Sequence, residues 1–348
     1  MKSLVNVSKL FHSAERESYL GFDLGTYSIK VAEVASHKNE IILKGFAQSK
    51  TFENTIVNQI INDEQLLKTN IKNLISNFQP GTNVIYLAIP YEITIYGKFS
   101  TNNPESSQLI EKQINDEIPY KIEDVYFSYF IMPEKGSFTV YYLVSKKDNI
   151  DKIKRIFSDI NFKLENIDAD FINLHNFLEY LYGPENKLII DWGNEKVKLY
   201  FSNKDTPVYT RELFNLGFKH FKNEIMKNFR LTPDIIDKLI HSPPEDQRKS
   251  QIKEVYKEYI KKLAEEIKFG IEISRSKYNL NPEVAYIIGG GARIPNIHKI
   301  LSELLKLDIK EIKIEKKLRI SEHIDRRYLS IINTQGVLAV ATAAKEFI

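Results

Sequence analysis

The stretch YLGFDLGTYSIKVAEV, residues 19–34, carries an Asp-x-Gly turn between two apolar runs with the pattern of strands. A phosphate chain needs backbone N–H groups at close range, and a glycine-containing turn lets the backbone approach it. Lys30 is placed to neutralise a phosphate oxygen, and Asp23 can hold a hydrated magnesium ion through its carboxylate. The residues of this predicted phosphate turn are Asp23, Gly25, Thr26, Tyr27, Ser28 and Lys30.

The same pattern returns in KLIIDWGNEKVKLYFSN, residues 187–203, again as strand, Asp-x-Gly turn and strand. An internal duplication with diverged sequence is the simplest explanation, and it predicts two lobes with a cleft between them. The second turn offers further backbone donors and a second carboxylate for magnesium, from Asp191, Gly193 and Asn194. Trp192 lies inside this turn, where stacking on a ligand and burial in the core both remain open.

A third glycine turn, IIGGGARIPNI at residues 287–297, lies between an apolar strand and an amphipathic helix. Glycines there admit a flat base or a ribose against the backbone, and the start of the helix presents its positive end. The predicted contact residues are Gly289, Gly290, Gly291 and Arg293. Each turn alone is an ordinary connection, but the three in this order on a duplicated chain predict a ligand with both phosphates and a base.

The rest of the chain predicts an α/β protein with a small α+β unit inserted into it. That unit has an aromatic-rich sheet, whose side chains we expect mainly in the sheet core, with a peptide-binding face as the alternative. These aromatic residues are Tyr126, Phe127, Tyr129, Phe130, Tyr141 and Tyr142. The predicted organisation is a leader at 1–18, a first lobe at 19–90, the inserted unit at 91–168, a return helix at 169–183, and a second lobe at 184–348 with a helical part at about 218–280.

Composition argues against several classes of function. The 49 basic and 46 acidic residues nearly balance, so no nucleic-acid-binding surface is expected. The chain has no cysteine for disulfides or thiolate metal sites, and its seven histidines lack metal-ligand spacing. No apolar run is long enough to cross a bilayer. Leu4, Val7 and Phe11 form a short stripe that could touch a membrane surface, but we favour a loosely packed leader and a cytoplasmic protein.

The three turns resemble those of the actin-like ATPase superfamily, and nearly the whole chain from Tyr19 resembles the PilM family of type IV pilus assembly proteins. The resemblance rests on FDLGTYSIKVAEV, EIPYKIEDVYFSY, SKKDNIDKIKRIFSDINFKLENIDAD, YTREL and IIGGGARIPNI. It implies a two-lobed actin-like fold with duplicated hairpin and helix units and an inserted subdomain of the kind shared with the division protein FtsA. It also implies ATP and Mg²⁺ as ligands, with Asp23 and Asp191 near the metal, and adds Gly217 to the nucleotide site.

The chain departs from the family at several positions, and these departures weaken the implied nucleotide site. In the second phosphate turn, where the family usually has a threonine, this chain has Lys196 and Val197. Where the family usually has a glycine pair after the arginine segment, this chain has Gly217 and Phe218. Where the family has a glutamate and a lysine near the nucleoside, this chain has Asp237 and Ile240. No catalytic base is identified. Asp170 lies near the position that orients water in related ATPases, but we favour a helix-capping role for it.

By resemblance, the chain is an ATP-binding assembly protein whose first lobe and inserted unit hold the short cytoplasmic tail of a PilN-like inner-membrane protein. It would join other pilus assembly proteins at the inner face of the inner membrane and contact the membrane only indirectly, with self-association left open. ATP would close the cleft as a conformational ligand and be hydrolysed slowly at most.

Two alternatives come from other functional classes. An FtsA-like membrane-associated cytoskeletal protein would need an anchor, whereas the closing TQGVLAVATAAKEFI is expected to be a core helix. A sugar or acid kinase on the same fold would need a carboxylate base, which the sequence does not reveal.

Overall fold

The computed structural model describes residues 18–38, 40–134, 136–241 and 249–348. The predicted leader, with its Leu4, Val7 and Phe11 stripe, lies outside these residues except for Ser18. The strands are β1 (Ser18–Leu24), β2 (Ser28–His37), β3 (Glu40–Lys50), β4 (Ile56–Val57), β5 (Ile60–Ile61), β6 (Val84–Ile89), β7 (Thr94–Thr101), β8 (Val125–Glu134), β9 (Ser137–Lys146), β10 (Lys163–Ala169), β11 (Lys187–Trp192), β12 (Lys196–Ser202), β13 (Pro207–Phe214), β14 (Val284–Ile288), β15 (Ile309–Lys310) and β16 (Leu318–Ile320). The helices are α1 (Glu64–Phe78), α2 (Ser107–Glu117), α3 (Lys147–Ser158), α4 (Asp170–Tyr182), α5 (Phe218–Phe229), α6 (Pro233–His241), α7 (Lys249–Tyr278), α8 (Ile297–Leu305), α9 (Leu329–Ile331) and α10 (Val337–Ala344).

The two strands predicted around the first Asp-x-Gly turn are present, and a third strand follows them. β1 pairs antiparallel with β2, β2 pairs antiparallel with β3, and β6 lies parallel to β1 on its other side. Leu20 and Phe22 are fully buried on one face of β1, in a core shared with α1 and α3. The Asp-x-Gly turn therefore lies at the carboxyl ends of β1 and β6, the edge where open α/β sheets bind ligands.

The second sheet repeats this arrangement. β11 pairs antiparallel with β12, β12 pairs antiparallel with β13, and β14 lies parallel to β11. The strand orders are β10-β6-β1-β2-β3-β16 in the first sheet and β13-β12-β11-β14-β15 in the second. The same four-stranded arrangement in both sheets confirms the internal duplication, because two unrelated folds would have no reason to share it.

α4 and α10 lie between the two sheets and join the lobes. Their buried side chains form one core with Val34 of the first sheet and Ile189 of the second. Gly21 permits the closest approach of α10 to β1, since a Cβ at Gly21 would lie 2.1 Å from the Ala339 carbonyl oxygen and 2.4 Å from the Ala343 nitrogen. The lobes therefore share a continuous hydrophobic contact through these helices.

The second lobe does not run to residue 348 as predicted. β16 pairs parallel with β3 at the edge of the first sheet. α10 packs against β1 and β2 of that same sheet. The chain thus returns to the first lobe from about residue 318, because the apolar side chains there cover the inner face of the first sheet. A prediction made from contiguous segments does not include such a return.

The inserted unit is also smaller than predicted. β7, β9 and β8 form a separate antiparallel sheet, with α2 packed on one face, where Ile114 of α2 and Val140 of β9 belong to one hydrophobic core. α3 and β10 instead complete the first lobe, where Phe157 is part of the first-lobe core and β10 pairs parallel with β6. The unit with its own sheet therefore spans residues 94–146 rather than 91–168.

The aromatic residues of the inserted sheet occupy both of its faces. Phe127, Tyr129 and Tyr142 pack on the α2 side. On the opposite face, Phe130 stacks on Tyr141 with ring centroids 4.8 Å apart. These contacts confirm a core role for most of the aromatic residues, while the peptide-binding alternative stays a prediction.

The outer face of the second sheet is covered by helices. α5, α6 and α7 lie in the range predicted to be helical, and Phe221 and Leu263 share one core with Leu199 of β12 and Leu301 of α8. Among the described helices, none is both long enough and apolar enough to cross a membrane.

Candidate functional site

The three predicted turns converge on one cleft between the lobes, with a cavity of about 340 Å³. Each turn follows a strand end of the first or second sheet, and the duplication aims the two Asp-x-Gly turns at the same space. The predicted residues that line the cleft are Asp23, Gly25, Thr26, Tyr27, Ser28, Lys30, Asp191, Gly193, Asn194, Gly289, Gly290 and Arg293. The fold thus brings together side chains that lie far apart in the sequence, although their contact with a ligand stays a prediction.

Gly217 and Gly291, unlike the other predicted site residues, do not line the cleft cavity. A Cβ at Gly217 would lie 2.2 Å from the carbonyl carbon of Glu195, and one at Gly291 would lie 2.0 Å from Cδ2 of Trp192. Both glycines therefore allow close packing of the second turn. Trp192 itself is fully buried and stacks on Tyr259, so the core alternative for this residue is the correct one.

The first turn is held in shape from outside. The Thr51 hydroxyl donates to the Gly25 carbonyl oxygen over 2.7 Å, and the Thr51 amide donates to the Tyr27 carbonyl oxygen over 2.9 Å. Lys30 Nζ lies 2.8 Å from Asp23 Oδ2. These contacts fix the turn before any ligand arrives, which lowers the conformational cost of binding.

The third turn leaves an open position beside the cleft. Gly289 has a φ of +89°, and a Cβ there would lie 2.5 Å from the Trp192 carbonyl oxygen. At Gly290, by contrast, the nearest atom to an added Cβ is Gln335 Nε2 at 3.7 Å.

Thr334 and Gln335 also line the cleft, from a π-helical turn at residues 332–336. Neither residue was predicted from the sequence, because the closing segment has only the pattern of a core helix.

One of the two positions that the resemblance places near a nucleoside does not lie at the cleft. Ile240 is buried in the outer core of the second lobe and does not line the cleft. The side chain of Asp237 lies outside the described residues. Lys222 of α5 does line the cleft, with Nζ 5.6 Å from the ring centroid of Tyr27 in the first turn.

Asp170 is the centre of a buried hydrogen-bond network. Its Oδ1 accepts from the Phe171 amide over 2.7 Å and from the Tyr91 amide over 3.1 Å. Its Oδ2 accepts from the Tyr200 hydroxyl over 2.9 Å and from Lys198 Nζ over 3.1 Å. Asp170 is the first residue of α4 rather than its N-cap, so the capping prediction was wrong in detail. Because its carboxylate already accepts four hydrogen bonds, Asp170 has a structural role and is a poor candidate for a general base.

A lysine and carboxylate network extends from Asp170 along the cleft wall. Lys198 Nζ lies 3.0 Å from Glu92 Oε2, and Lys196 Nζ lies 2.7 Å from Glu92 Oε1 and 2.6 Å from Glu212 Oε1. Burial alone would raise the pKa of Glu92, but Lys198 and Lys196 lower it to about 2. Burial alone would lower the pKa of Lys198, but Asp170 and Glu92 raise it. Glu92 and Lys198 are therefore both ionised at neutral pH.

From the sequence, Lys196 was identified only as a departure from the family, and Lys198 and Glu92 were not identified. Glu92 lies 106 residues before Lys198, and no local pattern connects the two. The alternation of Lys196 and Lys198 on one face of β12 was a usable signal, since both side chains had to point the same way.

Asp191 has an unfavourable environment for its charge. Burial, together with the negative charges of Asp23 and Asp170, raises the pKa of Asp191 to about 6, although Lys198 and Lys30 oppose the shift. The ordinary value of an aspartate is about 4. Between about pH 4 and pH 6 the folded state therefore binds more protons at Asp191 than the unfolded state does, and stability falls as pH rises through that window.

We expect Asp191→Asn to raise the free energy of unfolding of the ligand-free protein by about 2 kcal/mol at neutral pH, because the variant no longer ionises a disfavoured carboxylate. Below about pH 4 the difference should vanish, because both states of the wild type then carry a protonated Asp191. Urea denaturation across this pH range measures the effect. A variant less stable than the wild type at neutral pH would contradict the assignment.

Comparison with known proteins shows the family. The profile of the family described as Type IV pilus assembly protein PilM matches residues 21–347. In the PilM-PilN type IV pilus biogenesis complex, a chain is similar at 18% identity with a TM-score of 0.79, over 95% of this chain and 98% of that one. None of the curated proteins matched the sequence.

Two further structures share the fold at lower similarity. The ethanolamine utilization protein EutJ of Carboxydothermus hydrogenoformans is 14% identical with a TM-score of 0.54, over 97% of this chain and 93% of that one. MreB5 of Spiroplasma citri, solved with ADP bound, is 14% identical with a TM-score of 0.50, over 91% of this chain and 94% of that one. The predicted actin-like fold is therefore confirmed.

Proposed function

Because the chain belongs to the PilM family of type IV pilus assembly proteins, we propose that it binds ATP in the interlobe cleft and the cytoplasmic tail of a PilN-like membrane protein on its first lobe. It would work as an adaptor of the pilus assembly platform. The observation that carries the ATP part is the convergence of two phosphate turns and one glycine turn on a single cavity.

In this proposal the phosphates lie between the two Asp-x-Gly turns and the adenosine lies against the third turn. The cavity of about 340 Å³ falls within the usual range for ligand sites. Lys30 and Lys198 line it beside the two Asp-x-Gly turns and supply positive charge for phosphate oxygens, and Arg293 lines it at the third turn. The ADP bound to MreB5, a protein of the same fold, supports a nucleotide as the ligand.

Magnesium fits the carboxylates at the phosphate end. Asp23 and Asp191 line the same cleft from opposite lobes, and the charge of Asp23 raises the pKa of Asp191. A divalent cation between the two would relieve that repulsion, and magnesium binds carboxylates directly or through its waters. Asp23 and Asp191 would hold the ion, whose chemistry there is to neutralise phosphate charge.

ATP would serve mainly as a conformational ligand, with slow hydrolysis at most. Asp170, the nearest candidate base, is fully engaged with four donors. Glu195, another carboxylate of the cleft, accepts from Asn194 Nδ2 and lies 3.5 Å from Lys219 Nζ. These contacts give no support to a sugar or acid kinase, although an FtsA-like filament role remains the alternative to be tested by sedimentation with ATP.

The partner tail would dock in an apolar groove on the first lobe, at the base of the inserted unit. The groove lies between the β4–β5 hairpin, the end of β6 and α3, and Ile60 at its edge is 54% exposed. Its lining residues are Leu24, Ile56, Gln59, Ile60, Ile61, Leu87, Ala88, Ile89, Pro90, Ile93, Asn149, Lys152 and Ile153. Apolar walls with a polar edge suit a short peptide with apolar anchors. Docking there would bring the chain to the inner face of the inner membrane.

We expect Ile60→Asp to weaken binding of a synthetic tail peptide from the PilN-like protein of the same genome by roughly tenfold or more, because a charge would replace an apolar contact. Fluorescence anisotropy of the labelled peptide measures the affinity. Leu109→Asp is the matched control, since Leu109 is 51% exposed on α2 and lies outside the groove. Equal loss in both variants, or no binding by the wild type, would contradict the proposed docking site.

A further inference from the structure

The interlobe cleft and the apolar groove share a wall. Leu24, Gln59, Ala88 and Pro90 line both cavities. Pro90 begins a short turn whose next three residues, Tyr91–Ile93, form a single 3-10 turn that leads into the inserted unit. Any movement of this turn therefore changes the cleft and the groove together.

The turn is tied to the second lobe by charge and to the groove by an apolar side chain. Glu92 pairs with Lys196 and Lys198 of β12, over 2.7 Å and 3.0 Å. Its neighbour Ile93 lines the groove. The Tyr91 amide donates to Asp170, which itself accepts from Lys198. One turn thus connects two lysines of the cleft with one wall of the groove.

The two lysines have an alternative partner when a nucleotide is bound. Lys196 and Lys198 both line the cleft beside the second phosphate turn. Phosphate oxygens are strong acceptors for lysine ammonium groups, so a bound triphosphate would compete with Glu92 for them. Each lysine keeps a second carboxylate, Glu212 or Asp170, so loss of the Glu92 contacts leaves neither unpaired.

We propose that Glu92 is a positioning residue that couples nucleotide binding in the cleft to peptide binding in the groove. Without nucleotide, the two lysines hold Glu92 and keep the Pro90–Ile93 turn against the groove, whose cavity is only about 30 Å³. A bound triphosphate draws the lysines away, releases the turn and widens the groove for apolar side chains. This inference rests on the proposed function, because it assumes that ATP and the tail peptide bind where described.

The proposed coupling predicts that ATP strengthens binding of the tail peptide, and a binding experiment with and without ATP measures this effect. In the wild type, saturating ATP with Mg²⁺ should tighten binding of the tail peptide by roughly fivefold or more, within the usual range of allosteric coupling. Glu92→Gln should bind the peptide without nucleotide about as tightly as the ATP-loaded wild type does, and ATP should then change its affinity by less than about twofold. Glu33→Gln is the matched control, since Glu33 is also a buried glutamate paired with a lysine, Lys44, but lines neither the cleft nor the groove, and it should keep the wild-type response.

Hydrogen exchange of the full chain gives a second readout, which a purely structural role for Glu92 would not produce. ATP should speed amide exchange in fragments containing residues 90–94 by roughly fivefold in the wild type, because release of the turn opens it locally. In Glu92→Gln these fragments should exchange fast from the start and not respond to ATP.

The outcomes separate this inference from the proposed function. A wild type that binds neither ATP nor the peptide would overturn both. A wild type that binds both ligands independently, or a Glu92→Gln variant that keeps the full ATP response, would overturn the coupling role of Glu92 alone.

Discussion

Asp170→Ala should lower the free energy of unfolding by about 3 to 5 kcal/mol, the cost expected when one partner of a buried ion pair is removed. The side chain is only 5% exposed. Its loss leaves the Tyr200 hydroxyl and the Tyr91 amide without their acceptor, and Lys198 keeps only Glu92. Urea denaturation at neutral pH measures the change.

Asp159→Ala provides the comparison for that result. Asp159 also pairs with a lysine, with Lys68 Nζ 3.0 Å from Oδ2, but its side chain is 55% exposed. Exposed pairs contribute about 0 to 1 kcal/mol, so this variant should be nearly as stable as the wild type. Similar stabilities for the two variants would mean that the Asp170 network does not stabilise the fold as described.

Gly290→Val should weaken ATP binding by roughly tenfold or more while leaving the fold intact, because the added methyl groups enter the space proposed for adenosine. The backbone at Gly290 has a φ of −63°, which any residue adopts, and the nearest atom to a Cβ is 3.7 Å away. Stability should therefore change by less than about 1 kcal/mol. Isothermal titration calorimetry with ATP and thermal unfolding without it measure the two effects separately.

Gly290→Ala gives a size series at the same position. It should weaken ATP binding less than valine does and should stabilise the ligand-free protein by about 0.4 to 1 kcal/mol, since it reduces the freedom of the unfolded chain. If the valine variant bound ATP as well as the wild type, the adenosine would have to lie elsewhere in the cleft.

The sequence predicted the duplicated hairpins and the position of most of the cleft residues. The reason is physical: an Asp-x-Gly turn between two strand patterns specifies where the turn must lie, and a repeat of that pattern specifies a second lobe. Asp23 and Asp191 could therefore be placed in one site although they belong to different sheets.

Other features could not be predicted because they depend on contacts across the fold. The sequence does not show which neighbouring atoms occupy the space that a Cβ would take at a glycine. Gly291 was therefore predicted to contact the ligand, whereas Trp192 occupies that space in the structure. Glu92 lies in the first lobe and Lys198 in the second, and only the packed structure brings them together. The return of β16 to the first sheet likewise depends on a pairing with a strand that lies far back in the chain.

The central claim is that the interlobe cleft is an ATP site. The most direct measurement is calorimetric titration of the full chain with ATP in the presence of Mg²⁺, in parallel with Asp23→Ala. The account predicts saturable binding at one site in the wild type and a loss of roughly tenfold or more in affinity in the variant, because a charged ligand to magnesium at the phosphate turn is removed. Absence of binding in the wild type, or equal affinity in both proteins, would contradict it.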